Sequence, residues 1–448
     1  MTRGGGAEWS CVTRRCRCRR LPWQRDTLFT MSHAAAPSAA RGGRFAALSV
    51  PGYGLLFVSG TVSFVATQVQ IIGRGWLANT LTGSNSGLGV VYLCFGVAML
   101  ISMPVGGVLA DRRSRRALLI VSQAMFVGIN AFVGIAVAAG FIRFWMLLIT
   151  AILQAFGFGL LGPARMAMTV DIVGREHMAN AVVLSQVSLN SARVVGPAIA
   201  GVGLGIAWFG TVGVYFTAAG LSLIGLMAVL SLPPTPRPSP SQTGAFTSFA
   251  EGIAYARRER RVGLLLIGST VAVVLGMPYL AFLPRVASSM FDTGPGGYGA
   301  LSVASAVGAV VVSFAIANVG SGRRAWVIQW ISAAAFAAGL AAMALAPTFA
   351  TSMVAVLIVG AGSSAFQSMN GSIVLDATDE RFHGRVQSLM MWAFGGFGMA
   401  ALPLGALADA VGLRAMLAVI AVGVAVVAAS MRLFAASSHA ESVTDRAQ

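Results

Sequence analysis

The side chains best placed to do chemistry are five charged residues at positions 111–116, between two long apolar segments. These segments cover 86–109 and 117–139, so the charges must lie in a short loop, because each would be costly near the centre of a bilayer. Asp111 could stabilise the N-terminus of another helix, and the arginines could stabilise C-terminal carbonyls. Gly107 would let two helix ends approach closely. This chemistry predicts a latch that holds one arrangement of helices and can release it; the alternative is a charged turn that only orients the chain.

Three further arginines, Arg74, Arg165 and Arg193, lie within or near apolar segments, where a charge indicates a functional site. Arg74 is roughly 9 Å from the outer end of its predicted helix, at about 1.5 Å per residue. Its guanidinium group either reaches the outer surface, which we favour, or lines a cavity and attracts an anion. Arg165 and Arg193 are predicted near the cytoplasmic ends of their helices, in an inner charge network. Its other members are Asp171, Arg175, Glu176, Asp376, Asp379, Glu380 and Arg385.

Neutral polar side chains recur along the apolar segments and predict a cavity for a small organic molecule. Each one alone is better explained as an interhelical hydrogen bond. Together they favour a neutral or amphipathic substrate over a sugar phosphate or a metal ion. Met390 and Met391 would add adaptable apolar contacts beside them. The candidate cavity residues are Gln68, Gln70, Arg74, Gln154, Gln186, Asn190, Gln367, Asn370 and Trp392.

Residues for enzymatic catalysis are missing from the pattern. The four histidines fall in predicted loops or tails, and no Ser/His/Asp or Cys/His set accompanies them. No glycine-rich phosphate loop joins a strand to a helix, which also argues against ATP-driven transport. Cys11, Cys16 and Cys18 have no matching pair that would complete a zinc site. We therefore predict that the protein is not an enzyme and that it has neither a cofactor nor a metal site.

The composition indicates a membrane protein. Of the 448 residues, 56% are hydrophobic and 10% are charged, whereas soluble domains carry about 25% charged residues. The net charge of +17 comes from arginine alone, which indicates a codon bias and not nucleic-acid binding. A spanning helix needs about 20 apolar residues. The predicted fold is an all-α integral membrane protein with 12 transmembrane helices in two six-helix pseudo-symmetric bundles, at 53–80, 86–109, 117–139, 143–169, 181–206, 210–232, 262–289, 297–318, 325–346, 350–375, 386–408 and 412–434.

The break between the two groups of helices is rich in proline and then in arginine, which predicts an extended linker followed by an amphipathic helix on the membrane surface. A plain solvated linker is the alternative. Met31 is the predicted start of the native protein, with residues 1–30 either untranslated or a disordered extension. The predicted domains are a cytoplasmic N-terminal segment at 1–52, the first bundle at 53–232, the cytoplasmic linker at 233–261, the second bundle at 262–434 and a cytoplasmic tail at 435–448.

Arginine placement predicts the orientation of the chain. Most arginines after Met31 lie in the loops on one side of the predicted helices, whereas Arg143, Arg285 and Arg414 lie on the other. Both termini are therefore predicted to be cytoplasmic. The halves also repeat: Arg115, Arg116 and Ala117 correspond to Arg323, Arg324 and Ala325. A repeated six-helix half with the substrate path between the halves is the usual build of a secondary transporter.

These motifs resemble the major facilitator superfamily, and within it the enterobactin-exporter-like branch of 12-helix drug:proton antiporters. The cytoplasmic gate motif resembles the superfamily signature between helices two and three, although Ser114 stands where the family usually has glycine. The stretches at 162–181 and 379–386 resemble the loops of the branch. The gate motif comprises Gly107, Asp111, Arg112, Arg115 and Arg116, and the helix-five motif, associated with exporters, comprises Arg193, Gly196, Pro197 and Gly201.

The resemblance implies a secondary active transporter that exports small lipophilic or siderophore-like molecules from the bacterial cytoplasm. It further implies alternating access, a proton as the coupling ion, contact with membrane lipid, a monomer, and an Asp111 latch that stabilises the cytoplasm-closed state. A proton antiporter normally needs a carboxylate inside the membrane, and only Asp171 and Asp376, at helix ends, are candidates. An uptake or facilitated-diffusion carrier and a non-transporting receptor or scaffold are the two alternatives.

Overall fold

The computed structural model describes residues 46–232, 245–316 and 322–444, and these residues form helices and short connections without a β-strand. Eleven helices in this part of the chain are long and apolar enough to cross a membrane, and the shorter apolar stretch Gly395–Val411 belongs to one more. The predicted all-α fold with 12 spans is therefore confirmed. In chain order they are α1 (Tyr53–Thr82), α2 (Asn85–Arg112), α3 (Arg115–Ala138), α4 (Phe144–Gly174), α5 (Glu176–Gly205), α6 (Gly210–Leu230), α7 (Val262–Met290), α8 (Gly294–Ala315), α9 (Arg323–Leu345), α10 (Phe349–Asp376), α11 (His383–Val411) and α12 (Leu413–Thr444).

Several sequence predictions concern residues outside the described part. These are the N-terminal segment 1–45, the proline-rich stretch 233–244 and the final residues 445–448. Within helices, the side chains of four predicted site residues are also outside it, namely Asp111, Arg175, Glu380 and Trp392.

Local signals set the ends of the helices. The Ser84 hydroxyl accepts a hydrogen bond from the Gly87 amide at 3.0 Å and caps the start of α2. The predicted loop between the fourth and fifth spans is wrong in length, because helical structure continues through it. Gly174 alone interrupts it, with φ of 66°, a conformation that favours glycine. α4 and α5 therefore project beyond their apolar segments and carry Asp171 on the added turns.

The first six helices pack with one another, as do the last six, and the same close contact recurs in both groups. A side chain on Gly106 of α2 would overlap the carbonyl of Gly159 in α4. In the second group, a side chain on Gly308 of α8 would overlap the carbonyl of Leu357 in α10. Backbones that approach this closely need small residues, as in other membrane bundles. In each group the second and fourth helices make this contact, which agrees with the predicted repeat.

The two halves meet along two helix pairs, α2 with α11 and α5 with α8. We call the face where α1 begins the terminal face and the face where it ends the distal face. Polar contacts join the halves at the distal face, where Asn79 donates to Ser288 at 3.2 Å. Gly201 and Gly299 bring the backbones of α5 and α8 together, since a Cβ on Gly201 would lie 2.5 Å from the Cα of Gly299.

The linker helix, Ala245–Arg258, is docked against the terminal end of α11. Tyr255 stacks on Phe382 with ring centroids 4.2 Å apart and accepts a hydrogen bond from the Asp379 amide. Glu251 forms an ion pair with Arg385 at 2.7 Å. These contacts attach the segment between the halves to the second half.

Candidate substrate cavity and gates

A cavity of about 490 Å³ lies between the two halves and takes its lining from both of them. The first half contributes residues from α1, α2, α4 and α5, and the second from α7, α8, α10 and α11. Six aromatic side chains line it. The sequence analysis missed them, because an aromatic residue in an apolar segment gives no sign of whether it faces lipid or a cavity. They are Tyr92, Phe95, Phe158, Tyr279, Tyr298 and Phe397.

Arg74 lines this cavity, and the favoured prediction that it reaches the outer surface is wrong. Its side chain is 3% exposed. The guanidinium group donates a hydrogen bond to Gln154 Oε1, and Gln154 Nε2 donates in turn to Gln70 Oε1. The same group lies over the ring of Phe95, 5.2 Å from its centroid. Because Gln154 and Phe95 lie inside the bundle, the guanidinium group of Arg74 points toward them and not toward the outer surface.

Arg193 also lines the cavity, which corrects its predicted place in an inner charge network. It lies near the middle of α5, one turn before Pro197, and its side chain is exposed on the cavity it shares with Gln68. Among the described residues it has no hydrogen-bond acceptor or ion-pair partner. The predicted span 181–206 already has Arg193 at its centre, so the predicted position near the cytoplasmic end did not follow from the span.

Arg165 belongs to neither the cavity lining nor an ion pair with a described residue. Its guanidinium group packs on Gly60 of α1 and lies over Phe64, 4.7 Å from the ring centroid. Its Nη1 atom is buried without a hydrogen-bond partner in the described part of the chain. The predicted network with the acidic loop residues is therefore wrong for this arginine, because it points between α4 and α1.

The remaining described members of the predicted inner network do not form one network. Arg115 contacts Asp171 directly, and Arg381 and Asp379 lie 3.2 Å apart at the surface. Glu176 and Asp376 are exposed and show no ion pair with the residues described. The terminal face thus carries local pairs, in addition to the Glu251–Arg385 pair of the linker helix.

The arginines of the gate motif bind the helices beside them. Arg115 donates to the Ala167 carbonyl of α4 at 3.3 Å. Arg116 donates to the Leu230 carbonyl at 2.6 Å, at the C-terminus of α6, where a cation is favoured. The described contacts of this motif therefore lie within the first half.

The Arg115–Asp171 pair should contribute modestly to stability, because its side chains are 20% and 37% exposed. We expect a double-mutant cycle of Arg115→Gln and Asp171→Asn to give a coupling free energy of about 0.5 to 1 kcal/mol. Thermal denaturation of the purified variants in detergent measures it. Glu176→Gln is the matched control and should show no coupling to Arg115→Gln. A coupling near zero for the Arg115–Asp171 cycle would contradict a stabilising pair.

The other predicted cavity residues divide into four groups. Gln68 and Gln367 line the cavity, and Gln70 lies behind it as the partner of Gln154. Asn370 accepts a hydrogen bond from Gln329 at 3.1 Å and lines a second, smaller cavity of about 250 Å³. Neither Gln186 nor Asn190 belongs to the lining of the main cavity. The function of these residues stays a prediction.

A distal clasp, formed by Asp409 with Asn85 and Ser86, joins α11 to α2 at the distal face. The Asp409 carboxylate accepts hydrogen bonds from the Asn85 amide at 2.9 Å and its side chain at 2.8 Å. It also accepts from the Ser86 amide at 2.8 Å and its hydroxyl at 2.5 Å. A carboxylate at a helix N-terminus is favourable. The sequence analysis missed Asp409, since it lies at the edge of an apolar segment and its partners are more than 300 residues away.

Comparison with known proteins agrees with this architecture. The family model described as "Transmembrane secretion effector" matches residues 42–447. Enterobactin exporter EntS of Salmonella typhimurium (strain LT2) is 24% identical over 342 residues, covering 73% of this chain and 80% of that protein. The EntS protein of Salmonella typhi has the same identity and coverage.

Solved structures share the fold. The nucleoside transporter NupG matches with a TM-score of 0.65 and 15% identity, covering 86% of this chain and 99% of that one. A bacterial homologue of the human lysosomal transporter Spinster, in an inward-facing and unoccupied conformation, matches with a TM-score of 0.67 and 15% identity, covering 84% and 95%. The resemblance to the major facilitator superfamily and its enterobactin-exporter-like branch is thus confirmed. The chain belongs to the transmembrane secretion effector family and is a multi-pass efflux transporter of the inner membrane.

Proposed function

We propose that this transporter exports a small amphipathic, siderophore-like molecule by alternating access, with the cavity between the halves as the substrate site. The observation that carries the proposal is that one cavity is lined by both halves, so that a rocking motion of the halves would change its access. The relatives named as enterobactin exporters support the substrate class.

The contacts between the halves support the alternating mechanism. In the proposed mechanism, the distal clasp and the Gly201–Gly299 contact hold the distal face closed. The four hydrogen bonds of the clasp all go to one exposed carboxylate, which solvent screens, so we expect the closed arrangement to be released at modest cost. We propose that Asp111 stabilises the opposite state, in which the terminal face is closed. In that scheme both termini are cytoplasmic, the protein acts as a monomer in contact with lipid, and the linker lets the halves move.

We further propose that an inward flow of protons drives export. Asp171 is the more constrained of the two candidate proton carriers, since it contacts Arg115. One observation favours a second candidate function, a carrier that equilibrates its substrate without exchanging protons. Among the described residues that line the cavity there is no aspartate or glutamate. A carboxylate that carries the proton would therefore lie outside this lining.

Transport into inside-out vesicles with an acidic interior tests the proposal. Wild-type protein should accumulate a fluorescent siderophore, and Asp111→Asn should slow accumulation about tenfold if the lost contact is worth about 1.4 kcal/mol. Arg143→Gln, an exposed charge at the distal face, is the control and should transport normally. Equilibration that ignores the pH gradient would support the carrier. Transport by Asp111→Asn at the wild-type rate would contradict the latch.

A further inference from the structure

We propose that the substrate is an organic anion, and that Arg193 and Arg74 bind its negative group while the aromatic side chains of the cavity hold its body. The inference rests on the proposed function, because it assumes that the cavity between the halves is the substrate site. It goes beyond the neutral or amphipathic substrate that the sequence predicts.

Arg193 carries the first part of the argument. It lies in the middle of a spanning helix and its side chain is exposed on the cavity, where it has no acceptor among the described residues. A charge at this depth of a membrane is costly unless it is paired or serves a ligand. The neighbouring Pro197 and Gln68 offer no negative charge. An anion that enters the cavity would therefore find a guanidinium group with its N–H donors available.

Arg74 adds a second positive charge to the same cavity. Its described hydrogen bond goes to Gln154, although a guanidinium group has five N–H donors. Gln154 is itself held by Gln70, and the Phe95 ring supports the guanidinium plane. This arrangement keeps Arg74 in a defined orientation, which favours binding of a carboxylate, sulfonate or phenolate through charge-assisted hydrogen bonds.

The remaining lining residues determine the sign and shape of the ligand. Two arginines and no described acidic residue give the cavity a positive potential, which repels lipophilic cations. Aromatic rings from both halves, including Tyr92, Tyr279 and Phe397, provide apolar walls, and Tyr92 packs edge to face on Phe397. An aromatic or otherwise amphipathic molecule with one negative group complements both features.

Three probes with the same ring system test the inference on the purified full-length protein in detergent. They are 1-naphthoate, the neutral 1-naphthamide and the cationic 1-naphthylmethylammonium, with binding measured by calorimetry. We expect the wild-type protein to bind the carboxylate about tenfold more tightly than the amide, as for other charge-assisted bonds, and to bind the cation most weakly. Arg193→Gln should reduce the preference for the carboxylate to about threefold, because Arg74 alone then faces the negative group, whereas Arg193→Lys should retain most of the preference.

Arg143→Gln is the control, because it removes an arginine that does not line the cavity, and it should keep the wild-type preference. Equal binding of carboxylate and amide, tightest binding of the cation, or binding of none of the probes would overturn the inference. No gradient is used, so an anion preference in a protein that fails to export would count against the proposed function alone. Export in vesicles combined with a cation preference would count against the anion alone.

Discussion

Replacing Asp409 by alanine is expected to shift the transporter toward a conformation that is open at the distal face. The substitution removes the carboxylate that accepts four hydrogen bonds from Asn85 and Ser86 across the two halves. Hydrogen bonds to charged groups are strong, but Asp409 is exposed and solvent screens it. We therefore expect a loss of about 1.4 kcal/mol, which changes the ratio of the two conformations about tenfold.

Double electron–electron resonance between spin labels at positions 81 and 345, in place of Leu81 and Leu345, would detect the change in distance between the two halves. Both positions are exposed, and they lie at the distal ends of α1 and α9, one in each half. The labels require a background in which the four native cysteines are replaced. Asp409→Asn, which keeps one acceptor oxygen, should give an intermediate shift, and Arg143→Gln should give none. An unchanged distance distribution in Asp409→Ala would show that the clasp does not hold the halves together.

A larger effect is expected from Gly201→Val, which should abolish export. A Cβ at this position would lie 2.5 Å from the Cα of Gly299 in α8, and backbone cannot move aside as a flexible side chain can. The added isopropyl group must force α5 and α8 apart at the distal face. Without that contact the distal face cannot close, so the cavity stays open to the distal side and the alternation between the two closed states fails.

Gly205→Val is the matched control, four residues along the same helix. Nothing lies within 4 Å of the Cβ position of Gly205, so its variant should fold and export like the wild type. The measurement is the initial rate of siderophore export in vesicles that contain equal amounts of folded protein, judged by gel filtration. Normal export by Gly201→Val would mean that the close approach of α5 and α8 is not needed for transport.

The sequence by itself determined the membrane class, the 12 spans and the loop charges of the gate motif. These features are local, because the length and apolarity of a segment decide whether it crosses a bilayer. The same reasoning erred around Gly174, where a polar stretch continues the helix beyond the membrane. Apolarity marks where lipid ends, and a helix can extend past that point.

Only the tertiary structure decided which side of each helix faces the cavity. In a membrane protein the lipid-facing side is as apolar as the core, so hydrophobic periodicity does not report rotation. Phe314 is 69% exposed on the outside of the bundle whereas Phe282 is fully buried, and both lie in apolar segments. Helix rotation decides that Arg74 and Arg193 line one cavity. A contact between residues distant in sequence decides that Asp409 lies against the start of α2. The packing of the two halves sets both.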